Sequence, residues 1–144
     1  MIQLLISALL GSMIFFISII TPTVFNSLDE ENSRLFLRRV FPKLFLFAFF
    51  ILIICMIISF YESLYFTSAF LFLNSMIFIV NRNFITPRIN KAKDESLMGN
   101  NKSDNLFKRL HRISVLLFLF SMISLVLIII NLSISVDIKN SYLL

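Results

Sequence analysis

The chain has 144 residues, of which 58% are hydrophobic and only 15% are charged, with a formal net charge of +5 at pH 7. Soluble domains carry about 25% charged residues, so this chain has too little polar surface for a water-soluble globular protein, and that class is excluded. The basic residues lie beside long apolar segments, so the positive charge indicates contact with anionic lipid and no nucleic-acid partner.

Four segments are long and apolar enough to cross a bilayer, which takes about 20 residues of helix. Between Lys43 and Arg82 the only charged residue is Glu62, and this stretch is too long for one crossing. It therefore predicts a hairpin of two helices that turns near Glu62. The predicted spans are about 2–21, 43–60, 63–82 and 112–131. We predict an all-α, integral membrane four-helix bundle that forms a single domain over residues 1–144.

Two loops, about 22–42 and 83–111, connect these spans and are expected to be partly helical. In the first loop, Ser27 and Glu30 have the spacing of a capping box, which is typical of a helix start. Pro42 is expected to bend this helix into the second span. In the second loop, Gly99 and Asn100 lie in polar sequence and predict a break.

The distribution of basic residues predicts the orientation of the chain. Of the 13 Lys and Arg residues, four lie from Arg34 to Lys43, eight lie from Arg82 to Arg112, and one lies in the C-terminal tail. The positive-inside rule then places both loops in the cytoplasm and both termini outside, in the inner (plasma) membrane. Six of these cations are predicted to contact anionic lipid headgroups or a partner protein: Arg34, Arg38, Arg39, Lys108, Arg109 and Arg112.

The sequence contains a possible internal repeat. Ile-Thr-Pro ends both the first and the third span, at residues 20–22 and 85–87, and a basic loop and a further span follow each copy. With one gap, Phe41 aligns with His111. Because both copies have the same predicted orientation, the two hairpin-like halves are expected to be related by an axis along the membrane normal.

Small and polar residues within the spans predict which helix faces pack together, because membrane helices associate through close contacts and shared hydrogen bonds. Gly11, with Ser7 and Ser18, marks such a face in the first span. Asn74, Asn81 and Ser114 mark the faces of the third and fourth spans. Asn74 is expected to form a structural hydrogen bond, and the alternative is a place in a substrate or ion pathway.

His111 is the only histidine and lies at the predicted cytoplasmic end of the fourth span, among Lys108, Arg109 and Arg112. We expect it to face the interior of the bundle in a structural role, and the alternatives are a ligand to haem or a metal ion and a pH sensor. No phosphate loop, catalytic triad or paired carboxylate pattern occurs. We therefore expect no enzyme activity, no metal site and no resident cofactor.

Several short motifs carry a resemblance to a known family. They are Gly11-x3-Phe15, Pro22-x2-Phe25-x2-Leu28, Arg39-x-Phe41-Pro42, Asn81-x5-Pro87 and Phe107-x2-Leu110-His111-x2-Ser114. In this order they resemble the transmembrane protein 205-like family of small four-span membrane proteins, whose bacterial members form a domain of unknown function. The chain is also distantly similar to membrane proteins of the copper-resistance D and haem-synthesis J type. That similarity implies a ligand role for His111 alone.

The leading interpretation is a non-enzymatic multipass membrane protein whose basic cytoplasmic face contacts anionic lipid or a partner protein, which includes a membrane-protein partner or a second copy of the chain. One alternative is a haem- or metal-binding membrane protein that uses His111. Another is a small-solute transporter or export-related protein with Asn74 in its pathway.

Overall fold

Helix covers nearly all of the chain, because apolar residues extend over whole spans and few strong helix breakers interrupt them. The computed structural model describes residues 1–141, of which residues 136–141 are described by their backbone alone. Within these residues the fold is all-α, a bundle of four long helices. The helices are α1 (Ile2–Ser27), α2 (Glu30–Tyr61), α3 (Tyr65–Leu97) and α4 (Asn101–Ser141). All four, α4 through Ser135, are long and apolar enough to cross a bilayer.

The helices continue well beyond the predicted spans and take up most of the two predicted loops. Hydropathy shows where the apolar run of a span ends, but it does not show where the helix ends. Arg and Lys are good helix formers, so the helices continue into the charged sequence. α2 includes Pro42 within one unbroken helix and begins after Asp29, whose carboxylate accepts the backbone N–H of Asn32 at 2.7 Å. The predicted cap at Ser27 is therefore wrong by two residues.

The turns at α2–α3 and α3–α4 lie where the sequence predicts them and have the same hydrogen-bond pattern. After α3, Gly99 has φ +91° and its N–H bonds to the carbonyl of Ser96, while Asn100 N–H bonds to that of Glu95. After α2, Ser63 adopts φ +62° and Leu64 N–H bonds to Ser59. Both are Schellman motifs, which satisfy the last carbonyls of a helix and favour glycine at the left-handed position.

The Thr-Pro pair of each Ile-Thr-Pro motif directly follows a short π-helical segment, Phe16–Ile20 in α1 and Asn81–Ile85 in α3. Proline lacks an N–H and its ring clashes with the carbonyl four residues earlier. A π-helical turn is wider than an α-helical one, so the π-helical segment before each proline makes room for its ring and the helix continues. Thr21 N–H and Oγ1 both bond to the carbonyl of Phe16, and Thr86 N–H and Oγ1 both bond to that of Asn81. The sequence repeat is therefore also a repeat of local structure.

The buried faces of α1 and α3 follow the same register when Pro22 is placed on Pro87. The buried residues of α1 up to the π-helical segment are Ile2, Ile6, Leu9, Leu10, Met13 and Phe16, and the aligned positions Thr67, Leu71, Asn74, Ser75, Phe78 and Asn81 are buried too. The buried positions of α2 and α4 coincide when Phe45 is placed on Phe118. This register places Phe41 on Ser114. The sequence alignment instead pairs Phe41 with His111, which is exposed.

The interior of the bundle is centred on three aromatic side chains from three helices. The ring centroids of Phe45, Phe78 and Phe118 are 6.1 Å apart in each pair. Leu52, Cys55 and similar fully buried residues continue this core along α2. Because lipid tails are as apolar as these side chains, close packing and hydrogen bonds stabilise such a core more than exclusion of water does.

The outward surface of the helices is strongly apolar. Large side chains such as Phe50, Phe66, Phe120 and Leu127 are more than half exposed. Water-soluble proteins rarely expose so much contiguous apolar surface, and lipid contact accounts for it. The chain is therefore a multi-pass membrane protein with a helical-bundle fold.

Candidate functional site

A cleft opens at the basic end of the bundle, which we define as the end that carries the turns at residues 28–29 and 98–100. The part of α1 that packs closely on α4 is Ile2–Phe15, and Phe16–Ser27 packs instead on α2. The two helices therefore separate toward the basic end. The space between them is a cavity of about 550 Å³ that all four helices line. This volume is within the range of about 300–1,000 Å³ typical of ligand sites.

The deep part of the cleft is apolar. Phe45 of α2 and Phe118 of α4 form its inner end, where the aromatic core closes the space between the helices. Ile17 of α1 and Val115 and Leu119 of α4 line its two sides, and each of these three side chains is 40–44% exposed on the bundle surface. The cleft is therefore open sideways, toward the lipid.

The mouth of the cleft is charged, and its centre is Asp94 of α3. Arg38 of α2 donates two hydrogen bonds to the carboxylate, at 3.2 and 2.6 Å, and Arg34, one turn earlier, donates one at 3.2 Å. The side chains are 27% exposed for each arginine and 41% for Asp94. The hydrogen bond from Arg38 lowers the pKa of Asp94, whose position lies well beyond the apolar part of α3.

Lys93, Phe107 and His111 form the opposite side of the mouth. The ammonium of Lys93 lies 5.1 Å from the ring centroid of Phe107, a cation–π contact. The ring of His111 stacks on Phe107 at 5.8 Å with an angle of 16° between the planes. His111 is exposed and lines the cleft, because positions four apart on a helix share a face. Glu30 of α2 also reaches the mouth.

The six cations predicted to contact headgroups occupy two different environments. Arg39, Lys108, Arg109 and Arg112 are exposed, and Lys108 pairs with Asp104 at 2.6 Å on the same helix. Arg34 and Arg38 are half-buried and bind Asp94. Arg34 and Arg38 therefore hold α2 and α3 together. Only the other four cations have the exposure that contact with headgroups requires.

The three polar residues predicted to face inward are buried and bonded to other helices. Asn81 Nδ2 donates to the carbonyl of Ser114 at 3.2 Å, and Ser114 Oγ donates to Asn81 Oδ1 at 2.7 Å. Asn74 Nδ2 donates to Ser124 Oγ at 2.9 Å and to the carbonyl of Phe70 at 2.8 Å. These bonds link α3 to α4, as a structural role for the amides requires.

Gly11 does not occupy the packed face predicted for it. It is exposed together with Ser7 and Ser18, and a Cβ added to it would meet nothing within 4 Å. The residues that pack are instead the larger apolar ones on the opposite side of α1, such as Leu9 and Met13. Small-residue spacing identifies a stripe, but it does not determine whether the stripe faces the bundle or the lipid.

Sequence reasoning missed several residues that shape the basic end. Asp94 and Lys93 lie in the segment interpreted as a loop, and nothing local marks Asp94 as a partner of α2 or Lys93 as a partner of α4. The buried Ser33 donates to the carbonyls of Val24 and Leu28, at 3.1 and 3.2 Å, and so joins the end of α1 to α2. Ser103 donates to Glu95 at 2.7 Å across the α3–α4 turn. A polar residue on an otherwise apolar helix face is the signal that could have indicated Ser33.

Among the residues that the structure describes, no group of three or more His, Cys, Asp and Glu side chains is arranged to hold a metal ion. His111 stacks on the ring of Phe107, and the carboxylates among the residues that line the cleft are Asp94 and Glu30. The cleft therefore has the chemistry of a site for an amphiphile: apolar inside, and charged where it meets water.

The fold defines the class of this protein, a multi-pass membrane protein with a helical bundle. The chain belongs to the family described as a domain of unknown function, DUF4149, whose model matches residues 4–97. The match includes α1, α2 and α3, and it ends before α4 and His111. No curated protein and no solved structure matches the chain.

Proposed function

We propose that this protein binds anionic lipid at the cytoplasmic face of the inner membrane, and that the cleft between α1 and α4 is the binding site. One observation carries the proposal: a single cavity joins an apolar interior to a basic mouth and opens sideways between two membrane-spanning helices. The role is one of binding, without catalysis.

The dimensions of the cleft suit a lipid that enters from the bilayer. From Leu119 to Phe107, α4 rises about 18 Å, the length of several turns. The inner part of this length lies within the predicted fourth span, at the depth of acyl chains, and Phe107 lies beyond it, at the depth of headgroups. An acyl chain can therefore occupy the apolar part while its headgroup meets the charged mouth.

The charge of the mouth supports an anionic headgroup. Lys93 and the exposed cations beyond the cleft produce a positive potential at this end, which attracts anionic lipid over zwitterionic lipid. The count of basic residues supports a cytoplasmic location for this end. The narrower affiliation with the transmembrane protein 205-like family is part of the proposal and contributes no activity to it.

Lipid retention in nanodiscs tests the proposal. The protein is reconstituted in nanodiscs that contain equal amounts of phosphatidylglycerol and phosphatidylcholine, and the lipids that stay bound after release are identified by native mass spectrometry. We expect phosphatidylglycerol to be retained in preference to phosphatidylcholine. Lys93→Gln should reduce this preference, and the matched control Arg109→Gln, which removes an exposed cation on α4, should reduce it much less.

Two results would contradict the proposal. In the first, retained lipids have the same composition as the nanodisc. In the second, the protein purified from its own membrane carries a stoichiometric partner protein in the cleft and no lipid, which would favour the alternative of a partner-binding surface.

A further inference from the structure

We propose that the ligand of the cleft is an amphiphile with one acyl chain and one negative charge, such as a fatty carboxylate or a lysophospholipid with a phosphodiester head. This inference rests on the proposed function and narrows it, because most membrane lipids carry two chains. It follows from the shape of the cavity and from the charges that face it.

The cavity has room for one chain. Its volume is about 550 Å³, and its inner end is closed by the contact of Phe45 with Phe118, whose ring centroids are 6.1 Å apart. Ile17 on one side and Val115 and Leu119 on the other leave a single channel between α1 and α4. A second chain would have to lie outside the cleft, on the exposed surface of the bundle.

The groups that line the mouth carry a net positive charge. The groups that line it are the cations Arg34, Arg38 and Lys93, the carboxylates Glu30 and Asp94, and the imidazole of His111. Three cations and two carboxylates give a formal net charge of +1, in which histidine is not counted. Asp94 accepts three hydrogen bonds from the two arginines, so it occupies part of their donors and neutralises one of their two charges.

Lys93 is therefore the cation that meets the ligand. Its ammonium lies over the ring of Phe107, and the imidazole of His111 stacks on the same ring. A headgroup at Lys93 receives a hydrogen bond from its ammonium, and the acyl chain then passes Ser114 into the apolar part of the cleft. A second negative charge on the headgroup would meet the carboxylates of Asp94 and Glu30, which also line the mouth.

Photolabelling tests the inference. The probe is palmitate with a diazirine on its chain, used at trace level in phosphatidylcholine nanodiscs, with labelled residues mapped by mass spectrometry. We expect labels at the cleft residues Ile17, Val115 and Leu119. The methyl ester of the probe lacks the negative charge, so it should label these positions about tenfold less, which is the effect of losing a hydrogen bond to a charged group.

Two variants on α3 form a matched pair. Lys93→Gln should lower labelling by the free acid to the level of the methyl ester. Lys91→Gln, two residues away and 82% exposed outside the cleft, should leave it unchanged. The thermal midpoint of each variant, measured first, shows whether the bundle is intact. Asp94→Asn should remove one negative charge from the mouth and so increase competition by lysophosphatidic acid, whose head carries a second charge.

Competition with unlabelled lipids separates this inference from the proposed function. Lysophosphatidylglycerol should displace the probe, and diacyl phosphatidylglycerol should displace it far less. Equal displacement by both lipids would overturn the single-chain inference and leave anionic lipid binding in place. Equal labelling by the acid and its methyl ester would overturn recognition of the charge. If the cleft residues take no label and no anionic lipid is retained, both proposals fail.

Discussion

Asp94 of α3 and Arg38 of α2 form a bidentate ion pair, with hydrogen bonds of 3.2 and 2.6 Å between residues that are 56 positions apart. Arg34 adds a third bond to the same carboxylate. The pair joins the first half of the bundle to the second at the basic end, and it determines which cations of the cleft remain available to a ligand.

Removing this carboxylate should destabilise the bundle slightly and in a pH-dependent way. Asp94→Asn should cost about 1 kcal/mol or less at neutral pH, because the pair is partly exposed and solvent screens it. The bond from Arg38 lowers the pKa of Asp94, so its stabilising contribution is complete at pH values above the ordinary 3.8 and is lost as pH falls through the lowered folded-state value.

Thermal unfolding in detergent across a pH series measures this effect. The midpoints of the wild type and Asp94→Asn should differ at pH 7 and converge in acid. Glu31→Gln, which changes an exposed carboxylate in the first turn of α2, is the control and should show no such trend. A difference that is constant across the series would show that the ion pair is not its source.

The bond between Asn74 and Ser124 should show measurable coupling. Its donor–acceptor distance is 2.9 Å, and comparable bonds between membrane helices contribute about 0.6 kcal/mol on average. In a double-mutant cycle, Asn74→Leu and Ser124→Ala should have a coupling energy of about that size. The Asn74→Leu single variant should cost about 1 kcal/mol or less. Strict additivity of the two single variants would mean that the bond contributes nothing.

Much of the fold could be predicted from the sequence, because the signals are local. Charge-free runs predict the four helices, Glu62 marks the hairpin turn, and Gly99 marks the break before α4. The inward faces of Asn74 and Asn81 also follow from periodicity, since an amide facing lipid would lack a partner. The repeat was visible because a proline in a helix requires a specific local adjustment wherever it occurs.

The site was less predictable, because tertiary contacts create it. The pairing of Asp94 with Arg34 and Arg38 depends on how α2 crosses α3, and no local pattern contains that information. The outward position of Gly11 has the same cause: two faces of α1 are compatible with packing, and the larger apolar residues occupy the packed one. His111 was expected to face the interior of the bundle and lines the cleft while remaining exposed, because the helices separate at that point.

A glycine at position 63 should stabilise the protein. Ser63 has φ +62°, a left-handed conformation that costs a residue with a Cβ about 1 kcal/mol relative to glycine. Ser63→Gly should therefore raise the free energy of unfolding by up to about 1 kcal/mol, and Ser63→Ala should bring no gain. The opposite substitution in the matching turn, Gly99→Ala, should be destabilising. A stability loss in Ser63→Gly would contradict this account of the α2–α3 turn.

The predicted orientation can be tested by cysteine labelling in a Cys55→Ser background. Tyr61 and Met98 lie at opposite ends of the bundle and are 83% and 86% exposed. A membrane-impermeant maleimide should label Tyr61→Cys in intact cells, and should label Met98→Cys only after the cells are lysed, since the positive-inside rule places the basic end in the cytoplasm. Labelling of Met98→Cys in intact cells would reverse the topology.

Photo-crosslinking from the wall of the cleft tests the central proposal most directly. p-Benzoylphenylalanine is placed at Val115, which lines the cleft, or at the neighbouring Leu116, which is 58% exposed on the bundle surface, and the lipids captured in native membranes are identified by mass spectrometry. Adducts at position 116 should have the composition of the bulk membrane, and adducts at position 115 should be enriched in anionic lipid. The same lipid composition at both positions would contradict selective binding in the cleft.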